Sequence, residues 1–311
     1  MAEQRTLVTG ALGCLGAWTL KALLDLGEEP VGFDLGSDDA RVRLVLSEEE
    51  RARVTLVEGD VTDGATVGAT LDEHGITNVV HLASLQWPFV RADPERGAHV
   101  NVYGMVVVLE AIKKRMNRIR GLAYASSTSV YNATDRSPAP ESGGYEPSTL
   151  YGVFKLTNEG TARVYWHDDD IASIGLRPYV VYGPGRDQGM TSGPSLAMEA
   201  AARGEGYTIA YGGTAQYDFA PDVARAFVMA AGAEGEGAAV YNAPGTVASM
   251  EDVVGAIRAV VPGAEITWSG DPLPFPSELE AVGFDRDIAP FPRTPLNVGV
   301  AATIEHFRAA A

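Results

Sequence analysis

Cysteine and lysine are the scarce residues of this 311-residue chain, and each scarcity is informative. Cys14 is the single cysteine, which excludes an internal disulfide and any metal cluster built from several thiolates; no bound metal is expected. Basic groups are outnumbered, with 24 Lys and Arg against 41 Asp and Glu, a formal net charge of −17. That excess argues against nucleic acid or an anionic membrane surface as partner. No apolar run reaches the roughly 18 residues of a membrane-spanning helix, and no leader or lipidation motif is visible, so a cytoplasmic protein is expected. Only four of the basic residues are lysine: Lys21, Lys113, Lys114 and Lys155.

Lys155 closes the stretch Tyr151-Gly152-Val153-Phe154-Lys155, downstream of Ser126-Ser127-Thr128-Ser129. Four residues are about one helical turn, so Tyr151 and Lys155 share a helix face. Oxidising an alcohol requires a group that takes the hydroxyl proton while a hydride leaves the carbon. A tyrosine of ordinary pKa, about 10, is a poor base near neutrality, and a neighbouring ammonium favours its phenolate. Ser127, Tyr151 and Lys155 therefore have the chemistry of a hydride-transfer site: Ser127 holds the substrate oxygen, Tyr151 moves the proton, and Lys155 tunes Tyr151 and bonds a cofactor ribose.

Near the amino terminus, the apolar run Thr6-Leu7-Val8-Thr9 leads into Gly10, Gly13 and Gly16, and a helical pattern follows from about Leu15 to Leu26. Glycines at a strand-to-helix turn allow close approach of a pyrophosphate, which the free N–H groups of the helix end then bind. A second apolar strand ends at Asp34, where a carboxylate accepts from ribose hydroxyls and repels a 2′-phosphate. NAD is thus expected over NADP, with Arg41 and Arg43 further along as the residues that would oppose that preference. Val- and Leu-rich strands at 54–58 and 78–82 alternate with helical patterns at about 62–74, 93–115 and 151–166. The alternation predicts an α/β fold with a doubly wound parallel sheet and ligands beyond the carboxyl ends of its strands.

Taken in order, Gly10/Gly13/Gly16, Asp34, Gly59-Asp60-Val61, His81-Leu82-Ala83, Asn101-Val102, Ser126-Ser127, Tyr151/Lys155, Leu176-Arg177-Pro178 and Tyr182-Gly183-Pro184 resemble the extended short-chain dehydrogenase/reductases. More narrowly, the chain is similar to the NAD-dependent epimerase/dehydratase family over roughly residues 5–230. The resemblance implies a Rossmann fold and a catalytic set of Ser127, Tyr151 and Lys155. It further implies a cofactor site drawn from Gly10, Gly13, Leu15, Gly16, Asp34, Asp60, Val61, Leu82, Ala83, Asn101 and Pro178, together with Tyr151 and Lys155. His81, at a strand end, is expected to pack near the cofactor. Relatives often dimerise through the helices that correspond to 93–115 and 151–166, so a homodimer is implied.

Departures from the family pattern narrow the chemistry. Nucleotide-sugar epimerases usually carry an Asn where this chain has Val180, and an Arg where it has Tyr217, so two diphosphate grips are uncharged here. Thr128 and Ser129 follow Ser127 where dehydratases and decarboxylases place a carboxylate. The resulting expectation is reversible hydride transfer between NAD and a secondary alcohol or hemiacetal of a small sugar, sugar acid or hydroxy compound. Ser84, Gln86, Trp87, Thr128, Met190, Thr191 and Tyr217 are candidates for the substrate wall. A sugar-nucleotide epimerase that retains its NAD is the alternative reading, and a non-catalytic NAD(P) sensor a third. Residues 1–178 are expected to form the NAD-binding domain, to which the chain returns at about 216–243. Residues 179–311 are expected to form a smaller, discontinuous α/β substrate lobe.

Overall fold

A computed structural model describes residues 4–142, 145–233 and 235–310. Twelve strands are found among these residues: β1 (Thr6–Thr9), β2 (Val31–Asp34), β3 (Thr55–Glu58), β4 (Asn78–His81), β5 (Gly121–Ala125), β6 (Ser173–Arg177), β7 (Val180–Tyr182), β8 (Tyr207–Ile209), β9 (Thr214–Phe219), β10 (Ala238–Asn242), β11 (Thr246–Ser249) and β12 (Ile266–Trp268). Seven of them form one parallel sheet in the order β10-β6-β5-β4-β1-β2-β3. The chain winds outward from β1 through β2 to β3, then restarts beside β1 with β4 and winds the other way. That reversal opens a crevice at the carboxyl ends of β1 and β4. This is the doubly wound, Rossmann-type sheet that the strand and helix alternation predicts.

The two-residue period of the strands divides the core. Leu7, Val79 and Leu122 pack on one face of the sheet, beneath the helices Gly64–Glu73, Gly104–Lys113 and Leu150–Asp169. Val8, Val80 and Ala123, the next residue in each strand, pack on the other face with Leu20 and Phe227 from the helices Cys14–Asp25 and Ala220–Gly232. Both faces are covered, which is why the strands read as continuous apolar runs. The third core belongs to the C-terminal lobe. There the β11-β9-β7 sheet and the β12-β8 pair pack with the helices Gly193–Arg203, Met250–Val260 and Leu296–Ala310.

The stretch expected as one helix over 93–115 is interrupted. Asp93 caps a short helix, Pro94–Ala98, by accepting from the Arg96 amide at 3.0 Å. One wider turn, His99–Tyr103, precedes the helix Gly104–Lys113. That turn carries Asn101, whose amide group bonds both backbone groups of Leu85, at 2.7 and 2.9 Å. Apolar periodicity is blind to such a turn, because widening by one residue leaves the flanking pattern intact.

Phe227 is fully buried between the sheet and the Cys14–Asp25 helix layer. Phe227→Ala is expected to cost about 3–5 kcal/mol in urea unfolding. A loss below about 1 kcal/mol would show that the Ala220–Gly232 helix does not seal the sheet.

Candidate active site

A cleft of about 540 Å³ lies beyond the carboxyl ends of β1, β2, β4, β5 and β6, bounded on the far side by the segment after β7. Gly10 turns the chain with φ +70°, and a Cβ there would lie 2.7 Å from the Ala83 amide nitrogen. At Gly16 a Cβ would lie 2.1 Å from the Gly10 carbonyl, so only glycine lets the helix start so close to the strand. The floor of the cleft is thereby backbone, and the amino terminus of Cys14–Asp25 opens into it. Asp34 ends β2 and receives the Leu12 amide at 2.9 Å, which aims its carboxylate along the rim. Asp60, Val61, Leu82, Ala83 and Pro178 also line the cleft, as does Leu15.

Ser127, Tyr151 and Lys155 meet in the same cleft. Ser127 sits just beyond β5 and caps a short turn, accepting from the Ser129 amide at 3.1 Å. Tyr151 and Lys155 come from the first turns of Leu150–Asp169, whose start is capped by Thr149. The Lys155 ammonium lies 5.5 Å from the centre of the Tyr151 ring and donates to the Ala125 carbonyl at 2.8 Å. Burial lowers its pKa to about 8, because the charged form has lost water. Burial raises the Tyr151 phenol, and Arg186 and the hydroxyls of Ser127 and Ser84 draw it back only in part. His81 is buried against Thr9 at 2.7 Å and pushed down to about 3, mainly by burial and then by Lys155, so it packs as a neutral ring.

Three expected contacts are placed otherwise. Tyr217 is in β9, 2 % exposed and paired with Val180 of β7, so it belongs to the core of the lobe and does not face the cleft. Its alternating position in a strand is read only once the sheet it joins is known. Asn101 holds the Leu85 loop from behind rather than lining the cleft. Thr128 borders the cleft, but its hydroxyl is committed to the Pro178 carbonyl at 3.0 Å. Ser84, Gln86, Trp87, Met190 and Thr191 all border the cleft.

Arg186, which is not among the residues expected from sequence to form the wall, is central to it. Its guanidinium donates to Gln86 Oε1 and Thr191 Oγ1, both at 3.3 Å, and its Nε is buried without a partner among the described residues. The signal available in sequence was the position of an Arg in the glycine-flanked segment Gly185–Gly189, directly after Tyr182-Gly183-Pro184. Phe275, from the proline-rich stretch after β12, closes the far side.

The backbone floor, the helix terminus, the Asp34 carboxylate at the end of β2 and a Lys155 ammonium with one acceptor among the described residues fit a bound dinucleotide. Fold and cleft define the class: an NAD-dependent protein on a Rossmann-type sheet. Residues 6–243 match the model of the NAD dependent epimerase/dehydratase family, and the chain belongs to that family. It is 31 % identical over 315 residues to a UDP-glucose 4-epimerase of Mycolicibacterium smegmatis, covering 98 % of each chain. It is 33 % identical over 183 residues to UDP-glucuronate 4-epimerase 6 of Arabidopsis thaliana, a match over 57 % of this chain and 40 % of that protein's length. A solved L-threonine 3-dehydrogenase of partial consensus sequence shares the fold, with a TM-score of 0.85, 22 % identity and coverage of 98 % and 99 %.

Lys155 binds its proton less tightly folded than unfolded, where its pKa is the ordinary 10.5. Between about pH 8 and 10 the unfolded chain therefore carries more proton at this site, and the Lys155 contribution to stability rises with pH. In cofactor-free protein the wild type is expected to gain stability relative to Lys155→Met as pH rises through this range. Parallel pH profiles of the two proteins in urea titrations would contradict it.

Proposed function

We propose that this chain is an NAD-dependent oxidoreductase that interconverts a secondary alcohol, or a hemiacetal, with its carbonyl on a small sugar acid or hydroxy acid. The observation that carries this reading is Arg186: a cation beside Tyr151 whose partners among the described residues are neutral and whose buried Nε has none there. Such a guanidinium is arranged to receive a carboxylate, whose two oxygens match its planar fork. The buried positions of Val180 and Tyr217 support a small substrate, because neither presents a donor to a diphosphate.

In this reading Tyr151 takes the hydroxyl proton, the Ser127 hydroxyl orients the substrate oxygen, and Lys155 holds the cofactor ribose while favouring the phenolate. NAD, held by the glycine floor and Asp34, supplies the hydride acceptor when bound. Arg186 fixes the acid end, so the reacting carbon is presented in one orientation. A second reading is a sugar-nucleotide epimerase with retained NAD, favoured by the full-length likeness to a UDP-glucose 4-epimerase. There Arg186 would meet a uronate or a phosphate instead.

The test offers the purified protein and NAD a panel of uronates, aldonates, aldoses and small hydroxy acids, with UDP-sugars in parallel. NADH from a free acid is expected. No NADH, with UDP-sugar isomers separated by chromatography, would replace this reading with the epimerase. Tyr151→Phe is expected to abolish turnover while NAD affinity stays within a few-fold. Arg186→Leu is expected to raise KM for the acid by about 10- to 100-fold, the loss of one charge-assisted contact, with NAD affinity kept.

We further propose a homodimer. Leu150, Val153 and Val164 are exposed along one side of the Leu150–Asp169 helix, near exposed Tyr103 and Phe89. Val153→Glu with Val164→Glu is expected to give monomers by sedimentation; an unchanged mass would remove this face from consideration.

A further inference from the structure

The cofactor preference of this cleft rests on more than Asp34. Arg41 lies in the short helix Ala40–Val45 and borders the same cleft as Asp34. One residue connects the two side chains: the Leu12 amide donates to Asp34 at 2.9 Å, and the Leu12 carbonyl accepts from Arg41 Nη1 at 3.5 Å. A guanidinium in that place is the group that attracts a 2′-phosphate on the adenosine ribose. Here it is already engaged. Arg41 Nε donates to both carboxylate oxygens of Asp187 at 3.1 Å, and Nη2 donates to Oδ1 at 2.8 Å. Arg43, the other arginine of the segment, is engaged by Asp39.

Asp187 comes from a distant part of the chain, the segment after β7 that also presents Arg186 to the cleft. That segment is docked on the nucleotide-binding half. The Pro184 carbonyl accepts from the Trp18 indole at 2.9 Å, and the Gly185 backbone runs past the Arg41 stem. The ion pair is thus held from both sides rather than formed by two free side chains.

We propose that Asp187 is a second determinant of cofactor specificity, acting by occupying Arg41. Asp34 repels a 2′-phosphate directly, whereas Asp187 neutralises and withholds the cation that would bind one. NAD, whose ribose carries hydroxyls alone, needs no such cation and loses nothing. Side chains that are 26 % and 45 % exposed make a pair of modest strength, so the effect is several-fold rather than absolute.

The test measures equilibrium binding of NADH and NADPH to the full chain freed of nucleotide, by energy transfer from tryptophan to the reduced nicotinamide. Asp187→Asn is expected to tighten NADPH by about five-fold while NADH stays within about two-fold. Arg41→Gln alone is expected to leave NADPH as weak as in the wild type, and Arg41→Gln with Asp187→Asn to abolish the gain. Asp187→Ser provides a second neutral side chain at the same exposed position. An unchanged NADPH to NADH ratio in both Asp187 variants would overturn the proposal. So would a gain that persists without Arg41, since the effect would then be the field of Asp187 itself. Because the readout is binding, neither result depends on which substrate the enzyme turns over.

Discussion

A buried ion pair holds the site together. Arg177, 1 % exposed at the end of β6, grips Glu159 of the Leu150–Asp169 helix through two bonds of 2.8 and 2.7 Å. Glu159 also receives the Ser126 hydroxyl at the end of β5. Each partner is a neighbour of a site residue: Ser126 precedes Ser127, Glu159 lies one turn beyond Lys155, and Arg177 precedes Pro178. Three separate segments are therefore registered against one another by a single charged contact. The pair is costly to assemble in an interior, and removing one partner would strand the other, typically at about 3–5 kcal/mol. Arg177 also donates to Tyr131 at 2.9 Å and to the Glu141 carbonyl at 3.0 Å, and stacks on Tyr145 at 4.5 Å. The same side chain thus joins the sheet to the lobe.

Above this anchor the cleft carries both signs of charge. The protein is strongly acidic as a whole, yet Lys155 and Arg186 both lie near Tyr151. Burial acts on Lys155 and Tyr151 in opposite senses. It makes the lysine easier to discharge and the tyrosine harder to ionise, leaving the balance to whatever occupies the cleft. His81, the histidine buried behind Lys155, is kept neutral and adds no charge.

Much of the fold was legible because its signals are local. Apolar strands ending in glycine or aspartate, a three-residue glycine spacing and a four-residue Tyr–Lys spacing each report on one turn or one strand. The wide turn at Asn101 was not legible, since it adds a residue without disturbing the helical stripe. Nor was the fate of Tyr217, because a strand's inward face depends on which strand it joins, and β9 joins β7 and β11.

The amino-acid order by itself determined the Rossmann-type sheet, the glycine floor, the acidic end of β2 and the grouping of Ser127, Tyr151 and Lys155. These follow from short-range backbone geometry and from apolar periodicity. Tertiary structure alone decided that Arg186 meets Gln86 and Thr191 in the wall, that Asp187 engages Arg41 across 146 residues, and that Arg177 and Glu159 bind three segments into one site. Charge pairing acts through space over a few ångströms, and distance along the chain carries no record of it.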